Sequence, residues 1–391
     1  MKFIKIPNSY QFLSLLKTVL SLIKLYFNIR TNKKKIIFFY FPVKAYYKNI
    51  VEIKETLQKE KNLSLFLLFN KDSYGIIKNY KDSYFLDINY LKYIPFSNFF
   101  LKKVNLFISS YVNYVSPPNS KNIYICHDIS DSPLVNKNVE RKLFLSLTKL
   151  HYIFMSSSNV VNYFKNKFLE FGHDSKTIPK LINTGYLKLD NVIKELKKIK
   201  NIKNHILVAP TFSGSMKSYN MSDKLKDIIE GILLKGEKVI FRPHPLDLTN
   251  KGNPHNVERI LNKFKKNDNF FYDDSSSYID SYSKAKLLIT DFSGTAYTFA
   301  YSTLRPVIFF SKNEKKFAKS EISNLFYFKD RQTIGFVSKN LNQLLSFIKK
   351  INKKKEYNKN KIFNLRKKRI KYVNKSLDQT NKQILKICKE L

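Results

Sequence analysis

Val239-Ile240-Phe241-Arg242-Pro243-His244-Pro245 and, about fifty residues later, Leu287-Leu288-Ile289-Thr290-Asp291-Phe292-Ser293-Gly294-Thr295-Ala296 decide how this chain is read. Each is a short apolar run that breaks off into polar residues. A buried parallel strand has this form when it delivers side chains to a crevice at its carboxyl end. The first run delivers Arg242 and His244. The second delivers Asp291, Ser293, Gly294 and Thr295 at the start of a helical pattern. Backbone N–H groups at a helix start, together with the helix dipole, attract phosphate. The hydroxyls add donors, and a glycine permits close approach. An ordinary N-cap at Asp291 or Ser293 is the plainer alternative. Pro243 and Pro245 restrict the backbone around His244 and so fix the direction of its ring. Arg242 can pair with phosphate or with an acidic neighbour.

Working outward, apolar runs and helical patterns alternate on both sides of these segments. Strands are expected at 36–41, 63–69, 84–88, 105–109, 122–126 and 151–156, and then at 206–209, 238–241, 270–272, 287–290 and 306–310. Helices are expected at 49–60, 159–170, 222–234, 256–265, 276–284, 295–301 and 340–352. Such alternation denotes α/β domains with mostly parallel sheets. At 391 residues the chain exceeds one comfortable core. Two Rossmann-like domains facing a cleft are the economical architecture: 36–187 and 188–350. A lysine-rich connection covers 188–203. An amphipathic, basic segment (1–35) precedes the domains, and a basic helical tail (351–391) follows them.

The formal net charge is +41, which favours an anionic partner. Lys and Asn are abundant throughout, yet the excess is uneven. No acidic residue precedes Glu52, and the tail from Ile351 carries 14 Lys/Arg against 3 acids, a net of +11. No zinc finger or RNA-binding motif accompanies this charge, so nucleic acid is not the expected partner. Gln11 to Phe27 is apolar except for Ser14, Lys17, Thr18, Ser21 and Lys24, which fall on one narrow helical stripe. Two lysines make it a poor spanning helix, and it lacks a small-residue cleavage site. It is either a helix lying in a membrane interface or one packed on its own domain. Cys126 and Cys388 are the only cysteines, which speaks against a disulfide framework and for a reducing cytoplasm.

Neither a dinucleotide fingerprint nor a P-loop is present, and there is no D-x-D. His and Cys spacings offer no zinc site, so metal-independent chemistry without a cofactor is expected. His127 follows the strand 122–126 in the first half and is a candidate general base, since a neutral imidazole suits that task near pH 7. A satisfied core histidine is the alternative. Thr211 and Ser213, just beyond the strand ending at Ala209, are candidates for the nucleotide pocket.

Five features in order resemble the CDP-glycerol glycerophosphotransferase family of teichoic-acid and capsule enzymes. They are His127 after its strand; Thr184-Gly185-Tyr186 with Asp190; Ile206-Leu207-Val208-Ala209-Pro210-Thr211-Phe212; Arg242-Pro243-His244-Pro245; and Thr290-Asp291-Phe292-Ser293. The resemblance runs from about residue 120 to about residue 312. It implies a GT-B fold and an inverting-type displacement. It also implies a CDP-linked polyol donor, an anionic lipid-linked or polymeric acceptor, and peripheral attachment to the inner membrane face. His127 would be the acceptor-side base, and His244, Ser293 and Thr295 would hold the donor pyrophosphate. The chain departs from the family pattern at Asp128 (usually Gly), Gly294 (usually Ser), Thr298 (usually an acid) and Leu187-Lys188 (usually Pro-Arg). A GT-B glycosyltransferase using a nucleotide sugar is the alternative enzyme.

Overall fold

The structure is a computed structural model that describes residues 9–42, 47–70, 82–112, 116–131, 137–200, 203–249, 252–354 and 357–391. Among these residues the strands form two wholly parallel sheets. The first contains β1 (Lys35–Phe41), β2 (Leu63–Phe69), β3 (Ser83–Phe85), β4 (Leu106–Ser109), β5 (Lys121–Ile125), β6 (Tyr152–Met155) and β7 (Lys180–Asn183), in the order β3-β2-β1-β4-β5-β6-β7. The second contains β8 (His205–Val208), β9 (Lys238–Phe241), β10 (Phe270–Tyr272), β11 (Ala285–Thr290), β12 (Val307–Phe310) and β13 (Gly335–Ser338), in the order β10-β9-β8-β11-β12-β13. Both follow the doubly wound order, which reverses direction between β1 and β4 and again between β8 and β11.

The central strands are apolar without alternation because helices cover both sheet faces. Lys-Ile-Ile-Phe-Phe-Tyr-Phe of β1 is buried from Ile36 onward, and its parallel register sets Phe38 beside Phe66. On one face of the first sheet, β1, β2 and β4 pack against the helix Tyr47–Leu57. On the other, they meet Leu22, Leu25 and Ile29 of the helix Ser9–Arg30. Two strands beyond those read from the sequence complete the edges, β7 and β13. Neither carries an apolar run long enough to announce itself.

The first helix differs from the expected arrangement in one respect. Ser14 and Thr18, read as part of its polar stripe, face inward. The Thr18 hydroxyl satisfies itself by donating to the Ser14 carbonyl and accepting from the Asp87 N–H. Phe12, Leu16, Leu20, Ile23 and Phe27 are left exposed.

The tail is not a loose basic appendage. Helix Lys359–Arg369 inserts Ile362 and Leu365 into the core of the second domain. Helix Ser376–Glu390 then crosses back and buries Ile384, Ile387 and Cys388 against the first domain. The crossing is pinned by Asp190, which accepts the N–H groups of Asn374 (2.7 Å) and Ser376 (2.9 Å). Asp190 lies in helix Leu187–Lys197, which occupies most of the lysine-rich connection and packs Leu189, Val192 and Ile193 into the second core.

Gly185 makes this crossing sterically feasible. Its φ is +86°, and a Cβ there would lie 2.4 Å from Ser376 Oγ and 3.0 Å from the Lys371 carbonyl oxygen. Gly185→Ala must therefore adopt a disfavoured backbone and displace the tail. We expect a loss of about 1 kcal/mol or more, seen as a fall of about 2 °C or more in Tm. An unchanged melting curve would show that the crossing is not so tightly packed.

Candidate active site

The reversal between β8 and β11 opens the crevice in which open α/β sheets bind ligands. A single carboxylate organises its floor. Asp291, 1% exposed, accepts the N–H groups of Thr211, Met221 and Phe292, each at 2.8 Å. Burial raises its pKa, and the three backbone donors oppose that rise. Thr290 Oγ1 adds a 2.6 Å bond to the Ala209 carbonyl. Asp291 thus holds the loop after β8 against the end of β11. The sequence places Asp291 among the candidates for donor binding, whereas its oxygens are committed to backbone N–H groups. Thr211 is consequently fixed through its N–H and stands half-buried at the crevice.

Ser213 is likewise engaged. Its N–H donates to Asp247 Oδ2 at 3.1 Å, and its hydroxyl donates to Asp247 Oδ1. Asp247 is buried, and it also accepts from the Asn253 N–H. These bonds fasten the loop after β8 to the short helical turn Pro245–Leu248 that follows His244.

His244 caps that turn. Its Nδ1 accepts the Leu246 N–H at 3.2 Å, so the neutral ring carries its proton on Nε2. The Phe212 ring lies 5.6 Å away and limits rotation. Burial lowers the pKa of His244, against a smaller raising effect from Asp247. The ring is therefore a neutral Nε2–H donor at pH 7. Arg242, by contrast, faces its own domain. Its guanidinium bonds Asp273 Oδ2 at 2.6 Å and the Ser275 carbonyl at 2.7 Å. It braces the loop after β10 and does not project free toward a phosphate.

Helix Thr295–Thr303 begins at the end of β11 with no side-chain cap. Ser293 Oγ accepts the Thr295 N–H at 3.3 Å. Thr295 Oγ1 shares a 2.6 Å hydrogen bond with buried Tyr282. Gly294 is exposed, and a Cβ there would meet nothing within 4 Å. The Ala296 N–H is held by the Ser293 carbonyl at 3.1 Å, so Ser293 engages the first two N–H groups of the helix and the open space lies beside Gly294. Thr298, one turn on, is buried.

The other half of the site lies in the first domain. His127 follows β5, and its Nδ1 is 2.9 Å from Tyr124 Oη. Its carbonyl accepts from Tyr186 Oη at 2.7 Å. His127 lines a small cavity with Asn49, Ser110, Thr184 and Lys188. Lys188 joins the two halves. Its ammonium lies 5.1 Å from the centre of the Tyr278 ring, and the Arg242 guanidinium lies 6.0 Å from the same ring. Burial lowers the Lys188 pKa, with Asp128 opposing and Arg242 adding to the shift. Tyr124, Tyr186, Tyr278 and Lys188 were not singled out from the sequence as site residues. Tyr186 stands in the Thr184-Gly185-Tyr186 motif and Lys188 in the departure from Pro-Arg, and neither carries a role there. Among the described residues, no group of three or more His, Cys, Asp or Glu is placed to hold a metal ion.

The family model for CDP-glycerol:poly(glycerophosphate) glycerophosphotransferase matches residues 21–381. The chain belongs to this family. The match extends the resemblance, first seen between residues 120 and 312, to nearly the whole chain. No functionally curated protein matches the sequence significantly. Among solved structures, the wall teichoic acid polymerase TagF superposes with a TM-score of 0.64 at 15% identity, over 98% of this chain and 96% of that one. A TagF variant soaked with CDPG gives 0.60 at 16% identity, over 98% and 99%. UDP-GlcNAc 2-epimerase from Neisseria meningitidis, bound to UDP-GlcNAc, gives 0.56 at 12% identity, over 91% and 100%. The expected GT-B-like architecture of two Rossmann-like domains is thereby shown.

The environment of His244 has a measurable consequence. Its native pKa lies below the ordinary 6.5. Between the two values the unfolded chain binds more protons than the native one. The contribution of His244 to stability is therefore complete above 6.5 and is lost as pH falls through the native value. In a histidine ring NMR titration, the resonance absent from His244→Gln should show a midpoint below 6.5. A midpoint at or above 6.5 would contradict the buried, Nδ1-accepting ring.

Proposed function

We propose that this family member transfers a glycerol phosphate, or a similar polyol phosphate, from a CDP-linked donor to a hydroxyl of a membrane-associated polymer or lipid-linked acceptor, releasing CMP. Membership of the family supports the donor class. The observation that carries the mechanism is the placing of two differently held histidines on opposite domains, linked across the cleft through Lys188, Tyr278 and Arg242.

The donor diphosphate lies at the start of helix Thr295–Thr303, where Gly294 leaves room and the helix dipole favours negative charge. With Nδ1–H donating to Tyr124 Oη, His127 presents the lone pair of Nε2 to the acceptor hydroxyl. The acceptor oxygen forms a bond to the distal phosphorus as its proton passes to His127. The bond from that phosphorus to the bridging oxygen breaks, and CMP departs with the bridging oxygen. His244 Nε2–H and the helix start stabilise the charge that gathers there. Asp291, Ser213 and Arg242 act by holding the loops that carry these groups.

Two variants test this. His127→Ala and His244→Ala should fold as the parent does and lose CMP release from CDP-glycerol in the presence of acceptor. The expected fall is about 10²-fold or more for each. Parent-like turnover in both folded variants would refute the mechanism.

The membrane face of the proposal rests on helix Ser9–Arg30. Residues 12–30 are long and apolar enough to cross a membrane by length and composition. One side of the helix, however, is packed on the first domain. Its outer side exposes Phe12, Leu16, Leu20 and Phe27, and Phe96 (81% exposed) and Phe99 extend the same apolar surface, with Tyr26 packed against Phe99. Exposed Lys17, Lys24, Lys102 and Lys103 border it. Such a surface suits an anionic bilayer interface, each buried apolar side chain contributing about 1.5–3 kcal/mol. Replacing Phe12, Leu16, Leu20 and Phe27 by Ser should abolish co-sedimentation with anionic liposomes and leave the circular dichroism unchanged. Undiminished binding would move the contact elsewhere.

A further inference from the structure

The loop that carries His127 does not stay within the first domain. Two residues beyond the histidine, Ile129 is buried in the hydrophobic cluster of the second domain, together with Phe292, Tyr297 and Tyr327. Two residues further, Asp131 is 4% exposed and reaches the segment between β12 and β13. Its Oδ2 accepts the Phe326 N–H at 2.7 Å, and its Oδ1 accepts the Tyr327 N–H at 2.9 Å. Ser130 Oγ donates to the same carboxylate at 2.8 Å.

The contact does not end at the backbone. Tyr327 is 1% exposed, and its hydroxyl donates to the Ser293 carbonyl at 2.8 Å. Its own carbonyl accepts from Tyr297 Oη, on the helix that begins at Thr295. The turn bearing Phe326 is braced from behind. Arg369 pairs with Asp330 at 2.6 and 2.8 Å and lays its guanidinium 3.7 Å from the centre of the Phe326 ring. A continuous path of short, buried hydrogen bonds therefore runs from the His127 loop through Asp131 and Tyr327 to Ser293.

We propose that Asp131 is a positioning residue that clasps the two domains and, with Tyr327 as a strut, fixes the separation between the acceptor-side imidazole and the donor-phosphate helix start. A carboxylate suits this role because its two oxygens take two successive N–H groups at once. Tyr327 is buried and the Phe326 bond is partly so, and losing both acceptors leaves two unpaired donors at the domain boundary. The inference rests on the proposed phosphotransfer for its catalytic consequence, and on the domain contact alone for its structural one.

Two measurements separate these. The first is the distance between spin labels at Leu169→Cys in the first domain and Leu234→Cys in the second, both exposed positions, with native Cys126 and Cys388 buried. The parent chain should give one narrow distribution. Asp131→Ala should broaden or lengthen it. The second is CMP release from CDP-glycerol. Asp131→Ala should lower kcat by about 10- to 100-fold while donor KM changes little, because the donor-holding groups all belong to the second domain. Asp131→Asn, which keeps one carbonyl acceptor, should recover part of the rate. Tyr327→Phe preserves the ring and removes only the bond to Ser293, so it provides a folded variant with the same pattern if Asp131→Ala does not fold.

An unchanged distance distribution together with unchanged kcat would overturn the clasp. So would a loss of donor binding in step with kcat. If the parent chain releases no CMP while the distances still shift with Asp131, the phosphotransfer proposal fails and the clasp stands. If the parent is active and Asp131→Ala alters neither distance nor rate, the reverse holds.

Discussion

The buried carboxylate of Asp291 is the constraint on which the donor side depends. A charge at 1% exposure is tolerable only if its oxygens are filled. Three backbone N–H groups, from Thr211, Met221 and Phe292, fill them. Because those donors come from the loop after β8 and the end of β11, satisfying the charge also sets the shape of the crevice. Asp247 repeats the device one strand away, drawing Ser213 toward the turn that His244 caps. Asp190 repeats it at the domain crossing, where it receives Asn374 and Ser376. Acidic residues are scarce in this chain, 30 against 71 basic ones, and several of the buried ones serve as backbone receptors.

That use of carboxylates gives Asp291 and Asp247 a scaffold role in the proposed reaction. In the proposed mechanism the electrostatics come from the backbone and the helix start, while Lys188 and Asp128 stand close together on the His127 side. Burial keeps His244 neutral, with its Nε2 proton available. The phenols of Tyr124 and Tyr186 orient the opposite imidazole and its carbonyl. Lys188 lines the same cavity as His127, so a basic side chain stands beside the proposed base.

Much of the fold was legible in the sequence because buried parallel strands are nearly uniform apolar runs. β1, β2, β8, β9, β11 and β12 were visible for that reason. β7 and β13 were not, since edge strands of four residues with half-exposed positions lack that signature. The strand ends carrying His127, His244 and Ser293 to Thr295 were legible as abrupt polar stops. What each polar residue does there was not. Asp291 and Ser213 read as ligand groups, and Arg242 as a partner for phosphate or for an acidic neighbour, of which it meets the acid, Asp273. A sequence does not distinguish an acid that meets a ligand from one that meets three amides fixed by a loop elsewhere. The tail was read by its lysines, whereas Ile362, Leu365, Ile384 and Ile387 decide its position. The partners of Asp131 lie nearly two hundred residues away and leave no local trace.

The central claim is that the bond broken lies between phosphorus and the bridging oxygen of a CDP-linked polyol. A ³¹P NMR record of the purified enzyme turning over CDP-glycerol with a membrane acceptor tests it directly. The account predicts loss of both diphosphate resonances and the growth of one phosphomonoester signal, from CMP, with one phosphodiester signal. Appearance of CDP, with its diphosphate intact, would mean that a carbon–oxygen bond is cleaved and would contradict it.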